Sequence, residues 1–257
     1  MRRLIRNLFL NLAGSVSRPK SGVHIINSHY VHNGILHVEK DKEAFRSFVK
    51  LLTKNCELIR IEIAVEMISS GEIVDKPYVA FTFDDGFEEC YSVIAPVLEE
   101  YDCNAAFFIN SNYVEADDVY QKEFHERIKV YNKKPMNWSQ IATLLKRGHV
   151  IGSHTCDHLD MAQLTDAELE FQLQTNKETL ESILDYKCDF FAWPYGQNSH
   201  FSELALKKTL KYHKYIFSSS DYKKYFSYLG KVINRRHIEP FWSKFHINFF
   251  LAVRKIK

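Results

Sequence analysis

The sequence predicts an α/β fold of parallel strands joined by helical crossovers. Three observations point there. Short β-branched and aromatic runs alternate with amphipathic segments along most of the chain. No two strand-like runs are joined by a tight hairpin signal, so neighbouring strands need crossovers. The residues with chemistry to offer follow strand-like runs directly, at the strand ends where α/β barrels place their functional groups. A length of 257 residues suits one sizeable core.

The elements follow in order. Leu4, Leu8 and Leu12 recur every fourth residue beside Arg2, Arg3 and Arg6, which predicts a short basic amphipathic helix that covers one end of the domain or meets an anionic membrane surface. Arg6, Asn7 and Asn11 interrupt its apolar part, so it makes a poor secretory signal and is too short to span a bilayer. Residues 23–31 read as a strand that turns at Asn33-Gly34. Asp41 is expected to cap a helix over 42–54 whose apolar face is Phe45, Phe48, Val49 and Leu52. A weaker helix over 62–70 ends at Gly71. After the strand at 78–83, residues 89–101 form a helix that Pro96 kinks or delays. The next strand is 104–109.

Residues 110–135 are polar and irregular in pattern, long for a loop, and suit a lid or a substrate wall. Tyr113, Tyr120, Phe124 and Tyr131 either rim a cleft there or pack the loop down. Asn137 caps a helix that stops at Gly148, and 148–153 is a strand. Thr165 and Glu168 form a capping box for a helix to about residue 186, with Leu169, Leu173, Asn176, Leu180, Ile183 and Leu184 on its face. Strands at 189–193, 215–218 and 231–234 and a helix over 202–213 complete the domain. In the last stretch, Trp242, Phe245, Phe249, Val253 and Ile256 lie at helical spacing among basic residues. That stripe docks on the domain or touches an anionic membrane. The expected division is therefore a basic segment 1–21, a main domain 22–240 and a C-terminal helix 241–257.

The informative motif is Asp84-Asp85-Gly86 at the end of the strand. Adjacent carboxylates at a strand end repel each other and are costly to desolvate, unless a cation or a catalytic proton sits with them. An isolated match would be read as a turn. A second motif, His154-Thr155-Cys156-Asp157-His158, follows another strand. Two imidazoles and one carboxylate leave a coordination position open, as catalytic zinc sites do.

With Phe191-Ala192-Trp193-Pro194-Tyr195-Gly196, these two stretches resemble the three signature motifs of the polysaccharide deacetylases, the NodB-homology enzymes of carbohydrate esterase family 4. Order and spacing match, from about residue 23 to about residue 240. The resemblance implies a distorted, incomplete (β/α) barrel. It implies a divalent ion, Zn²⁺ first and Co²⁺, Ni²⁺ or Fe²⁺ as alternatives, on Asp85, His154 and His158, with Asp84 as general base. In members with an early acid motif the first strand ends in the catalytic acid, which points to His29. The third motif implies oxyanion or sugar contacts from Tyr195, Trp193 and Pro194, and Thr155 is expected to hold the histidine loop. Many members carry an arginine at the position of Ala192 that orients the base. One arginine of Arg235-Arg236 is expected to replace it, and we assign that supporting role to Arg236. His237 is the rival acid, and an exposed basic turn is the reading for the remainder of the trio.

Composition narrows the function classes. A formal net charge of +2 with interspersed signs leaves no nucleic-acid footprint. Five cysteines without a Cys-x-x-Cys pair suggest reduced thiols and a cytoplasmic location, with the inner membrane face as a peripheral site. Cys156 is read as a buried thiol before it is read as an extra ligand. The activity that the resemblance implies is metal-dependent removal of N-acetyl groups from an amino-sugar glycan or a lipid- or nucleotide-linked precursor in cell-surface polysaccharide biosynthesis. The alternatives are an O-acetyl esterase or small-amide hydrolase on the same site, and a catalytically silent carbohydrate-binding barrel.

Overall fold

The computed structural model describes residues 10–256. The strands are β1 (Gly22–Ser28), β2 (Glu57–Leu58), β3 (Pro77–Phe83), β4 (Ala105–Ile109), β5 (Val150–Ser153), β6 (Phe190–Ala192), β7 (Tyr215–Ser218), β8 (Phe226–Ser227), β9 (Val232–Asn234) and β10 (Arg236–His237). They form one sheet in the order β10-β1-β3-β4-β5-β6-β7-β9-β8, with β2 added beside β3. All pairings are parallel except β8 with β9, a short antiparallel pair that the sequence pattern did not signal. Residues 232–238 bridge the two ends of the ring. Val232–Asn234 pairs with β7, and after Arg235 the chain pairs with β1 on the far side. Leaving out the small accessory strands β2 and β8, and counting β9 and β10 as the one segment that bridges the two ends, the result is the expected distorted, incomplete barrel.

Alternation sorts the side chains. Val23, Ile25, Ala80, Ala106, Phe108, Ala192, Phe217 and Ile233 point inward and meet Ile61, Ala64, Val65 and Ile68 of helix α2 (Ile61–Ser70), which plugs one end. Their neighbours Ile26, Phe81, Phe83, Phe107, Ile109 and Ile151 face outward. They pack on α1 (Val38–Thr53), on α3 (Ala95–Glu99) with its leading π turn Cys90–Ile94, and on α5 (Trp138–Lys146). Gly152 leaves room for Phe108 in the interior, since a Cβ there would lie 2.5 Å from its ring.

Several elements differ from expectation. Helix α1 starts one turn early, and Asp41 acts from inside that turn by accepting from His37 N at 2.8 Å and His32 Nε2 at 2.7 Å. Residues 110–135 contain a helix, α4 (Asp118–Ile128), capped by Asp117. Phe124 is the one fully buried residue of α4, so its periodic signal is weak. The Thr165–Glu168 capping box of α6 (Asp166–Leu184) forms as read, and the Asn137 cap of α5 is completed by Gln140 into a second box. Helix α7 is Glu203–Tyr212.

The C-terminal helix α8 (Lys244–Ala252) docks through Ile247 and Leu251, with Trp242 and Phe250 beside them on the main core. Residues 10–15 are helical, and Gly14 packs directly on the Phe245 backbone. The basic half of the expected N-terminal helix lies outside the described residues. Among the described residues no helix is long and apolar enough to cross a membrane.

Arg236 is part of this docking and does not support Asp84. It is fully buried, donates Nε to His24 Nδ1 at 2.9 Å, and donates its two terminal nitrogens to the carbonyls of Phe250 and Val253 at the end of α8. Removing it strands those acceptors away from water. Arg236→Ala is therefore expected to lower the unfolding free energy by about 2–4 kcal/mol in urea titrations. A change below about 0.5 kcal/mol, the scale of an ordinary surface substitution, would show that the contact carries no weight.

Candidate active site

The inward-facing alternation continues past the strand ends and assembles one pocket of about 350 Å³. Asn27, His29, Asp84, Asp85, His154, His158, Tyr195, His237 and Glu239 all line it. Its other wall comes from Ile128, Lys129 and Val130, so the 110–135 segment does supply the expected wall. Tyr113 and Phe124 pack beneath that wall as a stacked pair, with centroids 4.0 Å apart, while Tyr131 points outward.

Asp85 Oδ1 is buried and has no hydrogen-bond partner. His154 Nε2 and His158 Nε2 each lie 3.5 Å from it. An orphaned buried carboxylate oxygen is costly. Here the two spacings match the edge of a tetrahedral site, about 3.4 Å for bonds near 2.1 Å. The three side chains therefore fit a divalent cation. His154 Nδ1 donates to the Ala192 carbonyl at 2.7 Å, which leaves the Nε2 lone pair free to ligate. Burial lowers the His158 pKa to about 4 against the pull of Asp85, so the His158 imidazole is neutral at ordinary pH. Cys156 is not part of this group. Its thiol turns towards the Gln172 carbonyl, and burial pushes its pKa up to about 11.

The backbone at these positions is unusual. Asp85, Thr155, His158 and Tyr195 all have left-handed φ values of 74°, 66°, 55° and 63°. Such non-glycine conformations cost about 1–2 kcal/mol each and survive where surrounding contacts fix them. Thr155 Oγ1 accepts from His158 N at 3.1 Å, which closes the histidine turn as expected. Asp157, between the histidines, accepts from Tyr120 Oη, Asn112 Nδ2 and Gln172 Nε2 at 2.6–2.7 Å. The α4 insert and α6 thus clamp the loop from both sides.

Asp84 is gripped by Arg235, whose Nη1 and Nη2 donate to Oδ1 and Oδ2 at 2.7 and 2.8 Å. Burial favours the neutral acid, but the guanidinium outweighs it and holds the Asp84 pKa down at about 2. Arg235, not Arg236, is therefore the supporting arginine. Both arginines are buried, which rules out the exposed basic turn for them. Positions 235, 237 and 239 share the inner face, whereas 236 points out to α8.

Trp193 also differs from expectation. It is 0% exposed, stacked on Phe201 with centroids 3.9 Å apart, and faces α6 and α7. Pro194 is buried as well. Tyr195, 38% exposed, is the third-motif side chain that reaches the pocket, edge-on to the His158 ring at 4.6 Å.

Sequence reasoning missed Glu239. His29 Nδ1 donates to its Oε1 at 2.6 Å, and His237 Nε2 donates to the same oxygen at 2.9 Å. Burial alone would lower the His29 pKa, yet Glu239 raises it to about 9. Burial likewise works against ionised Glu239, and the two imidazoles bring its pKa down to about 2. Strand alternation from Arg235 was the signal that could have found it. A second buried pair, Lys133 with Glu89 at 2.6 Å, ties the 110–135 segment to Val31 and His32 and so fixes Tyr30, which stacks on Phe241 at the pocket rim.

The His29–Glu239 pair has a pH signature. The raised imidazole contributes fully below its ordinary value of 6.5 and is lost as pH rises through about 9. The depressed carboxylate contributes fully above 4.5 and is lost as pH falls through about 2. In chelator-treated protein, the loss of stability caused by Glu239→Gln should peak between these ordinary values and shrink towards about pH 10, measured by urea unfolding across a pH series. A difference independent of pH would mean that the pair is not ionised as described.

A sequence profile described as polysaccharide deacetylase matches residues 71–213. Among curated relatives, the putative polysaccharide deacetylase YxkH of Bacillus subtilis (strain 168) is 22% identical over 169 residues, covering 65% of this chain and 55% of the relative. A peptidoglycan-N-acetylglucosamine deacetylase of Bacillus cereus is 30% identical over 124 residues, covering 48% of this chain and 38% of the relative. The chain spans between about a third and a little over half of the length of these and the other curated relatives it matches. In architecture it is similar to IcaB from Ammonifex degensii, with a TM-score of 0.70 at 16% identity over 92% of this chain and 100% of that one. It is also similar to the Streptococcus pyogenes deacetylase PplD, with a TM-score of 0.68 at 18% identity over 91% and 99%. The structural likenesses bear on the fold, and the profile match covers more than half of the chain: it belongs to the polysaccharide deacetylase family.

Proposed function

We propose that the chain is a metal-dependent hydrolase that removes N-acetyl groups from an amino-sugar glycan or its precursor. The observation that carries this reading is the orphaned Asp85 oxygen facing two imidazole nitrogens at 3.5 Å, in a pocket shared with a clamped carboxylate and a carboxylate-bound histidine. The donor set suits Zn²⁺, with Co²⁺, Ni²⁺ and Fe²⁺ as alternatives. A divalent cation held by Asp85, His154 and His158 would supply Lewis acidity, polarising an acyl carbonyl and acidifying water.

The chain's own groups handle the protons. Asp84 is ionised and fixed through both oxygens by Arg235, so it can receive the proton of an attacking water without rotating away. His29 has its Nδ1 committed to Glu239, which leaves Nε2 to offer a proton to the departing nitrogen. A base and an acid on either side of the scissile amide are what its cleavage requires. Tyr195 is assigned to the substrate side as the exposed third-motif side chain, and Phe241, 44% exposed at the pocket rim, offers an apolar face for a sugar ring. A reducing compartment suits the five separate buried thiols.

The test is acetate release from N-acetylhexosamine oligomers, O-acetylated glycans, and lipid- and nucleotide-linked precursors. Release is expected from an N-acetylated substrate, abolished by chelation and restored by Zn²⁺. Asp84→Asn should reduce it roughly 10²–10⁴-fold with the metal retained, and Asp85→Asn should lose the metal. Turnover unaffected by Asp84→Asn, or zinc-loaded protein releasing acetate from none of these substrates, would overturn the reading.

A further inference from the structure

A second set of metal-type donors stands in the same pocket. His29 Nδ1, His237 Nε2 and Glu239 Oε1 all lie within 4.8 Å of one another, separately from the Asp85 set. Glu239 is 4% exposed and immobilised, its other oxygen accepting from His29 N at 3.3 Å. The two rings stand nearly perpendicular, at 85°, with centroids 5.5 Å apart, so both nitrogens converge on one carboxylate oxygen from different directions. We propose that His29, His237 and Glu239 form a second divalent-cation site, and that a zinc-type ion bound there is inhibitory.

Two imidazole nitrogens and one carboxylate repeat the composition of the first set, a donor combination that Zn²⁺ accepts readily. As the groups stand, protons occupy the ion's place. The nitrogens are 2.6 and 2.9 Å from Glu239 Oε1, and coordination at a tetrahedral edge of about 3.4 Å asks them to open by roughly half to one ångström. His237 has the freedom to do so, because its side chain is 47% exposed at the pocket mouth. Binding is expected to be weaker than at the buried Asp85 set, since the site is more hydrated and a first cation repels a second.

The inhibitory half of the inference rests on the proposed deacetylase reading. The cation displaces the proton between His29 Nδ1 and Glu239, and takes the Nδ1 lone pair. The ring then keeps a single proton on Nε2 as a neutral ligand. A neutral imidazole surrenders that proton far less readily than an imidazolium, so His29 ceases to be a proton donor. The displaced proton leaves to solvent.

The experiment is zinc titration of the chelator-stripped full chain by calorimetry, with bound metal counted by elemental analysis after gel filtration. Two Zn²⁺ per chain are expected in the parent, the weaker lost in both His237→Gln and Glu239→Gln while the tighter stays. One equivalent in the parent, or two in both variants, would refute the second site. With Co²⁺ as a spectroscopic probe, the second equivalent should add its own visible absorption in the parent and none in His237→Gln. In acetate-release assays, zinc beyond one equivalent should reduce the parent's turnover at least tenfold. His237→Gln should keep its own zinc-limited rate at the same excess, and equal inhibition of both would reject the inhibitory role. Metal counts are read without turnover, so a chain that binds two ions and releases no acetate sinks the deacetylase reading while leaving the second site standing.

Discussion

Arg235 carries a charge into the centre of the barrel, and the architecture is arranged so that this charge is matched. The residue lies between β9 and β10, where the chain leaves one end of the sheet and joins the other. Its main-chain N–H donates to Ser218 of β7, and three residues later Ile238 N donates to Asn27 of β1. Its guanidinium lies over the Phe108 ring with Cζ 5.2 Å from the centroid, grips both oxygens of Asp84 and touches Thr82 Oγ1. An ion pair this deep contributes little over an apolar replacement, yet breaking one half of it typically costs 3–5 kcal/mol because a bare charge is left behind. Closure of the barrel and orientation of the carboxylate are therefore one constraint.

Much of this was legible from residue order. The strands, the cap at Asn137, the capping box at Thr165, and the grouping of Asp85 with His154 and His158 depend on local pattern, which a sequence displays directly. The misreadings share one cause, the loss of strand parity where strands run only two or three residues. Trp193 belongs to the outward series with Phe191, and Ala192 is its inward neighbour. Arg236 belongs to the outward series, with Arg235 and His237 on the other face. A single-residue shift exchanges core and site, and strands as short as β6 and β10 give too few alternations to fix it from sequence. Glu239 lies two residues beyond β10, where continuing the Arg235–His237 parity was the one pattern that pointed to it. Helix α4 was hidden for a different reason: it buries little and owes its place to contacts made by Tyr120, Phe124 and Arg127 with the histidine loop.

The left-handed residues at Asp85, Thr155, His158 and Tyr195 mark where the barrel core gives way to the pocket. Each lies in the turn that follows a strand with a buried C-terminal half, where the chain must change direction to aim a polar group inward. Glycine would adopt these angles more easily, but it has no side chain to present. Asp85 takes the angle itself and Gly86 takes the next one, at 73°. The resulting strain is offset by the burial of side chains such as Phe81, Phe83, Phe107 and Phe108, each able to supply about 1.5–3 kcal/mol. A dense aromatic core thus permits an irregular rim.

The histidines of the pocket stand in two kinds of electrostatic environment. In His154 the ring's Nδ1 meets a neutral carbonyl, and in His158 it meets nothing. Both rings are almost completely buried, and His158 is held neutral to about pH 4. His29 in the same pocket has its Nδ1 on a buried carboxylate and keeps its proton to about pH 9. The imidazole is the same, so the difference lies in what its far nitrogen touches. A lone pair offered to a cation and a proton offered to a leaving group cannot come from the same ring in the same state, and separating their pKa values is how a site assigns those tasks. For His29 the assignment is made by Glu239, a residue outside all three sequence motifs. That carboxylate is also what makes His29 and His237 a candidate pair of ligands, so the contact that would prepare His29 for its proposed role as proton donor is the one through which a second cation would disable it.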